Sequence, residues 1–219
     1  MVGNEGQRLD DQVKELMLEL DILKFNRSDL LYTACYCEEN IYMLCSEIFK
    51  KRPELIDDFS VLFISNDHRS VPLWQQRAGR GDEHVVLWDY HVVLYYKQDS
   101  EALIYDFDTL LPFPSPAGFY ASETFKPNIL LKDEYKQMFR LIPAKVYLDH
   151  FGSDRSHMLN ERGEYIATPP HYSAILKEGK SNLDNYISMK QDTLQDVYGT
   201  VMTSDEFYCM NPHSIKPEK

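Results

Sequence analysis

The sequence predicts an α+β domain in which an antiparallel sheet packs against a helix that starts at a cysteine. Ile41, Leu44, Cys45 and Ile48 fall at helical spacing and mark a helix from about Cys37 to Lys51. Phe59–Ser65 (FSVLFIS), Val85–Tyr96 (VVLWDYHVVLYY) and Ala102–Phe107 (ALIYDF) are rich in β-branched and aromatic residues, so they read as strands. The last two, joined by Lys97-Gln98-Asp99-Ser100, form a hairpin, which makes the sheet antiparallel.

The remaining elements follow in order. Val13, Leu16, Met17, Leu20 and Leu23 predict an amphipathic helix over residues 9–25, a packing extension ahead of the polar break at Asn26–Leu30. Pro53 stops the cysteine-bearing helix. After the first strand come a turn at Asn66-Asp67, a short extended stretch over Val71–Trp74 and a loop at Gly79–Asp82. Pro112, Pro114 and Pro116 end the sheet with a proline-rich loop, because proline cannot donate to a strand ladder. Asp133–Leu141 reads as helical, and the last third as loops with short elements. The organisation predicted is an extension over residues 1–28, one catalytic body over 29–207 and a tail over 208–219, acting as a monomer.

The chain has 219 residues, with 35 Asp and Glu against 23 Lys and Arg, a formal net charge of −12. That excess argues against nucleic acid or an anionic membrane as the main partner, because like charges repel before specific contacts form. The acidic start (Glu5, Asp10, Asp11, Glu15) is unlike a signal peptide, and no apolar run approaches the roughly 18 residues of a membrane span. Four cysteines are too few for a disulfide framework at this length, so reduced thiols in the cytoplasm and nucleus are expected.

Cys37 shares a helical face with Ile41, Leu44, Cys45 and Ile48 and therefore points inward. In the first turn, free N–H groups and the helix dipole are expected to lower its thiol pKa. A hairpin centred between Gln98 and Asp99 sets Tyr96 opposite Glu101, Val93 opposite Ile104 and His91 opposite Asp106. The acid would fix the tautomer of the imidazole, with Asp108 and Asp89 as competing orienters. An inward cysteine at a helix start, a histidine on a sheet and an acid beside it are the parts of an activated thiol nucleophile. Papain-like and transglutaminase-like enzymes use the same chain order, cysteine, then histidine, then acid.

Longer motifs sharpen this reading. Trp88-Asp89-Tyr90-His91-Val92, Cys35-Tyr36-Cys37-Glu38-Glu39-Asn40, Tyr105-Asp106-Phe107-Asp108-Thr109 and Leu111-Pro112-Phe113-Pro114 together resemble the protein N-terminal glutamine amidohydrolases. The likeness continues through Ser153–Met158 and Asn182–Met189 to about Phe207, with Tyr42 and Met43 as small departures. It implies a papain-like fold, Cys37 as nucleophile, His91 as base and Asp106 as orienting acid. It also implies conversion of an N-terminal glutamine side chain to glutamate on proteins or peptides, the first step of an N-degron route, without cofactor.

A terminal-residue enzyme must recognise a free α-amine. Glu38, Glu39 and Asp89 are the candidate anchors, though each acid reads more readily as a solvated or helix-N-terminal charge; Trp88, Tyr90 and Trp74 are candidate pocket walls that read at least as readily as core aromatics. Asp154-Arg155-Ser156-His157 reads as a structural loop tie or as part of the pocket, the first being favoured because nothing in the chemistry demands a second histidine. The competing functions are a cysteine peptidase or transglutaminase with the same three residues, and a non-catalytic module that binds N-terminal residues. A metal site at Cys35 and Cys37 lacks the second ligand pair that zinc spacing requires.

Overall fold

The computed structural model describes residues 25–98, 101–191 and 196–211, and the chain divides into two units, Met1–Leu30 and Leu31–Lys219. The helix expected over 9–25 lies, Phe25 apart, outside the described residues. In the first unit the described element is a 3-10 turn, Arg27–Asp29.

The second unit opens with helix α1 (Cys37–Lys51), which buries Cys37, Ile41, Leu44, Cys45 and Ile48 as the spacing predicts. Strands β1 (Phe59–Ser65), β2 (Val71–Leu73), β3 (Val86–Trp88), β4 (His91–Gln98), β5 (Glu101–Tyr105), β6 (Ser115–Pro116), β7 (Met138–Pro143) and β8 (Thr200–Thr203) follow. Six of them form one antiparallel sheet in the order β6-β5-β4-β1-β7-β8, and β2 pairs with β3 separately. The short helices are α2 (Ala117–Tyr120), α3 (Ala144–His150), α4 (Leu183–Ile187) and α5 (Ser204–Met210). Helix α5 crosses the boundary drawn at residue 207. On one sheet face Leu62, Ile64, Val93 and Ile104 pack with Tyr120, Phe125 and Phe207. On the other, Phe63 meets the rings of Tyr90, Tyr147 and Tyr186. β4 is interior to the sheet, and His91 at its first position is buried and pairs with Ile64 of β1.

The structure corrects four sequence expectations. The run from Val85 to Tyr96 is two strands, because Asp89 Oδ1 accepts the Tyr90 N–H at 2.9 Å and Ser65 Oγ donates to the Asp89 carbonyl at 2.7 Å. A side chain that captures the backbone this way breaks the ladder, and the chain changes sheets there. The hairpin register is displaced by two residues, with Gln98 opposite Glu101 and Leu94 opposite Tyr105. An even displacement leaves every side chain on its expected face. Pro116 joins the sheet as an edge residue, where a missing donor costs nothing.

The fourth correction is the largest. Asp133–Leu141 is a 3-10 turn (Asp133–Tyr135) followed by β7, which pairs with both β1 and β8. Its Glu, Lys, Gln and Met content favours helix, but two neighbouring strands override that weak preference. Within β7, Arg140 is 2 % exposed and donates to the carbonyls of Ser188, Lys190 and Tyr198 at 2.6–3.0 Å. Arg140→Ala strips three carbonyls of their donors and leaves a cavity. It is expected to destabilise the fold by about 3–5 kcal/mol, read as a lower urea midpoint with an unchanged slope.

Candidate active site

The approach to α1 is fixed by side chains rather than by an ordinary cap. Tyr36, at the N-cap, makes no side-chain capping bond, and Cys35 before it is left-handed at φ 68°. Asn40, one turn into the helix, takes over. Its carboxamide accepts the Thr33 N–H and donates to the Thr33 carbonyl, both at 2.8 Å, which clamps the turn and sets where Cys37 enters. Cys37 is 8 % exposed, and the backbone N–H of Val92 favours its thiolate. Val92 lies in β4, one residue from His91, and β4 packs against the helix that carries Cys37.

Helix position does not lower the Cys37 pKa as expected. Burial pushes it well up, the charges of Glu38, Asp108 and Asp89 add to that, and only the Val92 N–H opposes them. Burial and the neighbouring acids thus favour the thiol form of Cys37.

His91 is fully buried, and its Nε2 lies 2.8 Å from Asp106 Oδ1. The contact survives the register displacement because Asp106 stays on the expected face, just beyond the end of β5. Among the described residues, Nδ1 of His91 has no hydrogen-bond partner. With Nε2–H donated to the carboxylate, Nδ1 carries the lone pair that a thiol proton needs. Trp88 stacks on the ring, with centroids 5.2 Å apart and planes at 19°. Burial alone would lower the His91 pKa, but the charge and hydrogen bond of Asp106, with Asp108 and Glu38 behind, raise it.

Asp106 is itself held in place. Its oxygens accept the Tyr120 hydroxyl at 2.8 Å, the Asp108 N–H at 2.9 Å and, more weakly, Gln76 Nε2 at 3.4 Å. Burial pushes its carboxyl up; the charge and bond of His91, with the donors just named, outweigh that and hold it below the ordinary value. Asp108 does not orient His91. It accepts the Tyr32 hydroxyl at 2.5 Å, and burial raises its pKa. His91, Asp106 and Asp108 offer ligand atoms within 4.8 Å of one another, yet His91 Nε2 and Asp106 Oδ1 already satisfy each other. The arrangement therefore reads as a hydrogen-bonded dyad. A cavity of about 590 Å³ beside Asn66, Leu131 and Tyr208 includes none of these residues.

The candidate anchors separate sharply. Glu39 gives both oxygens to Arg155, at 2.7 and 2.8 Å, in a buried bidentate pair. Arg155 also donates to the carbonyls of Pro170 and Tyr172, so it ties this loop to α1, as read from the sequence. Asp89 is exposed and its Oδ1 holds the Tyr90 N–H. Glu38 is fully buried. Its Oε2 lies 3.7 Å from Cys37 Sγ and accepts the Tyr90 hydroxyl at 3.0 Å. Its Oε1 has no hydrogen-bond partner among the described residues, and His157 Nε2 stands 3.6 Å away. Tyr90 is thus a partner of Glu38, Trp88 a wall against His91, and Trp74 is half-buried beyond β2. Asn40, Tyr120 and Gln76 are not identified as site residues from the sequence, and His157 is read there within the loop cluster of Asp154–His157. Asn40 stands inside a quoted motif at cap distance from Thr33, whereas Tyr120 and Gln76 carry no local signal.

A family model described as N-terminal glutamine amidase matches residues 32–210. Three fruit-fly relatives carry the name protein N-terminal glutamine amidohydrolase. The one from Drosophila mojavensis is 39% identical over 190 residues, 86% of this chain and 93% of its own. That from Drosophila melanogaster is 44% identical over 164 residues, 74% of this chain and 80% of its own. That from Drosophila ananassae is 45% identical over 150 residues, 68% of this chain and 73% of its own. With the match spanning α1, His91 and Asp106, this chain belongs to the N-terminal glutamine amidase family.

Proposed function

We propose that this protein hydrolyses the side-chain amide of N-terminal glutamine in proteins and peptides, using Cys37, His91 and Asp106 in a papain-like arrangement. The observation that carries the reading is the buried His91–Asp106 pair with Nδ1 left open, at the start of a strand that packs against the helix carrying Cys37. Cys37 Sγ attacks the carboxamide carbon as His91 Nδ1 takes the thiol proton. The carbonyl electron pair moves to oxygen and then returns, breaking the C–N bond while His91 protonates the departing nitrogen as ammonia. A water, deprotonated by His91, attacks the thioester; the C–S bond breaks and the proton returns to sulfur. Asp106 holds the ring throughout. The Cys37 backbone N–H, which a first-turn position leaves without a helical acceptor, is the first oxyanion donor, worth about 3–4 kcal/mol.

The product is an N-terminal glutamate, which would feed an N-degron route in the cytoplasm and nucleus. The test is ammonia release from matched peptides with Gln first, Asn first, acetylated Gln first and Gln second. Release from the free N-terminal Gln peptide alone is expected. Equal release from the internal or blocked Gln would overturn the reading in favour of a general deamidase or transglutaminase.

A further inference from the structure

We propose that Glu38 receives the substrate's α-ammonium, at the position where His157 stands in the free protein, and that this anchor beside the nucleophile selects glutamine by length. The inference rests on the reaction proposed above. Glu38 is 0 % exposed, yet one of its oxygens lacks a hydrogen-bond partner among the described residues, and a buried carboxylate left in that state is costly. The structure therefore holds a buried carboxyl oxygen that awaits a partner. His157 Nε2, at 3.6 Å from Oε1 and 3.3 Å from the Tyr90 hydroxyl, is close enough to be attracted and too far to bond Glu38. Its side chain is 26% exposed, which leaves it room to give way to an entering ammonium.

The competing acids are engaged. Both Glu39 oxygens bind Arg155, Asp89 is exposed, and Asp108 has the Tyr32 hydroxyl and the charges of His91 and Arg77 nearby. Burial pushes the Glu38 carboxyl up to about 7, with Glu39 adding to the shift, whereas the hydroxyl of Tyr90 opposes it.

The geometry also measures the substrate. In glutamine, four bonds separate the α-nitrogen from the side-chain carbonyl carbon, a reach of about 5 Å. An ammonium about 2.8 Å from a Glu38 oxygen then places that carbon within attack distance of a sulfur 3.7 Å from Oε2. Asparagine is one methylene shorter, which withdraws the carbon by about 1.3 Å and costs about 100-fold or more in rate. Docking has a second effect. Glu38 is one of the charges that hold the Cys37 thiol protonated, so an ammonium placed against it removes that opposition only when a free N-terminus is bound.

The experiment compares kcat/KM for the N-terminal Gln peptide and its des-amino analogue, in which hydrogen replaces the α-amine, in wild type, Glu38→Gln and Asp108→Asn. Wild type should prefer the free amine by at least about 100-fold. Glu38→Gln keeps the buried shape and an acceptor for Tyr90, and its preference should collapse towards unity. Asp108→Asn should keep it. Alkylation of Cys37 by iodoacetamide, which has no ammonium, should be no slower in Glu38→Gln than in wild type. A Glu38→Gln protein that still discriminates against the des-amino peptide overturns the proposal. So does loss of discrimination in Asp108→Asn, which decides the matter even if Glu38→Gln does not fold. Absence of ammonia release from the Gln peptide in wild type would instead overturn the proposed reaction.

Discussion

Cys37→Ala is expected to abolish ammonia release from an N-terminal Gln peptide, a loss of about 10⁶-fold, in a protein that remains folded. No neighbouring thiol can stand in. Cys35 is exposed, precedes the helix and is left-handed, and Cys45 is buried two turns deeper on the apolar face. The fold tolerates the change because it removes one sulfur from a site at the helix end, a cost of about 1 kcal/mol. Melting temperature and ammonia release measured on one preparation separate the two effects. Residual activity within about 100-fold of wild type would move the nucleophile away from Cys37.

Asp106→Asn is expected to lower kcat by about 10³–10⁴-fold, and Asp108→Asn by less than about tenfold. Both acids are buried beside the histidine, but they act differently. Asp106 accepts the His91 Nε2–H at 2.8 Å and so leaves Nδ1 as the base; an amide can present its own N–H to Nε2 and enforce the opposite tautomer. Asp108 contributes its backbone N–H to Asp106, and that donor survives the substitution. The reverse order of losses would mean that Asp108 orients the ring.

The parts legible in the sequence are those set by local pattern. The apolar stripe of α1 fixed its limits and the inward aim of Cys37, and alternation on β4 and β5 fixed the face shared by His91 and Asp106. The hairpin register was not legible, yet the dyad survived its displacement because a shift of two residues preserves side-chain facing. What escaped depends on contacts distant in sequence. β7 is a strand because β1 and β8 flank it, against its own composition. The Cys37 thiol is raised because burial and acids from separate segments converge on it, where a first-turn position alone argues for the opposite. Glu38 and Glu39 are adjacent and alike in sequence. Only Arg155, from a loop over a hundred residues away, distinguishes the engaged acid from the open one.

The most direct test of Cys37 acting on an N-terminal glutamine side chain is covalent capture. A short peptide beginning with 6-diazo-5-oxo-norleucine, in which diazomethyl replaces the carboxamide nitrogen, offers the sulfur a carbon it can keep: protonation and loss of N₂ leave a thioether. Intact mass and peptide mapping should show one equivalent on Cys37, and the Nα-acetylated peptide should leave the protein unmodified. Modification of Cys35 with Cys37 left free, or equal labelling by the acetylated peptide, would contradict the account.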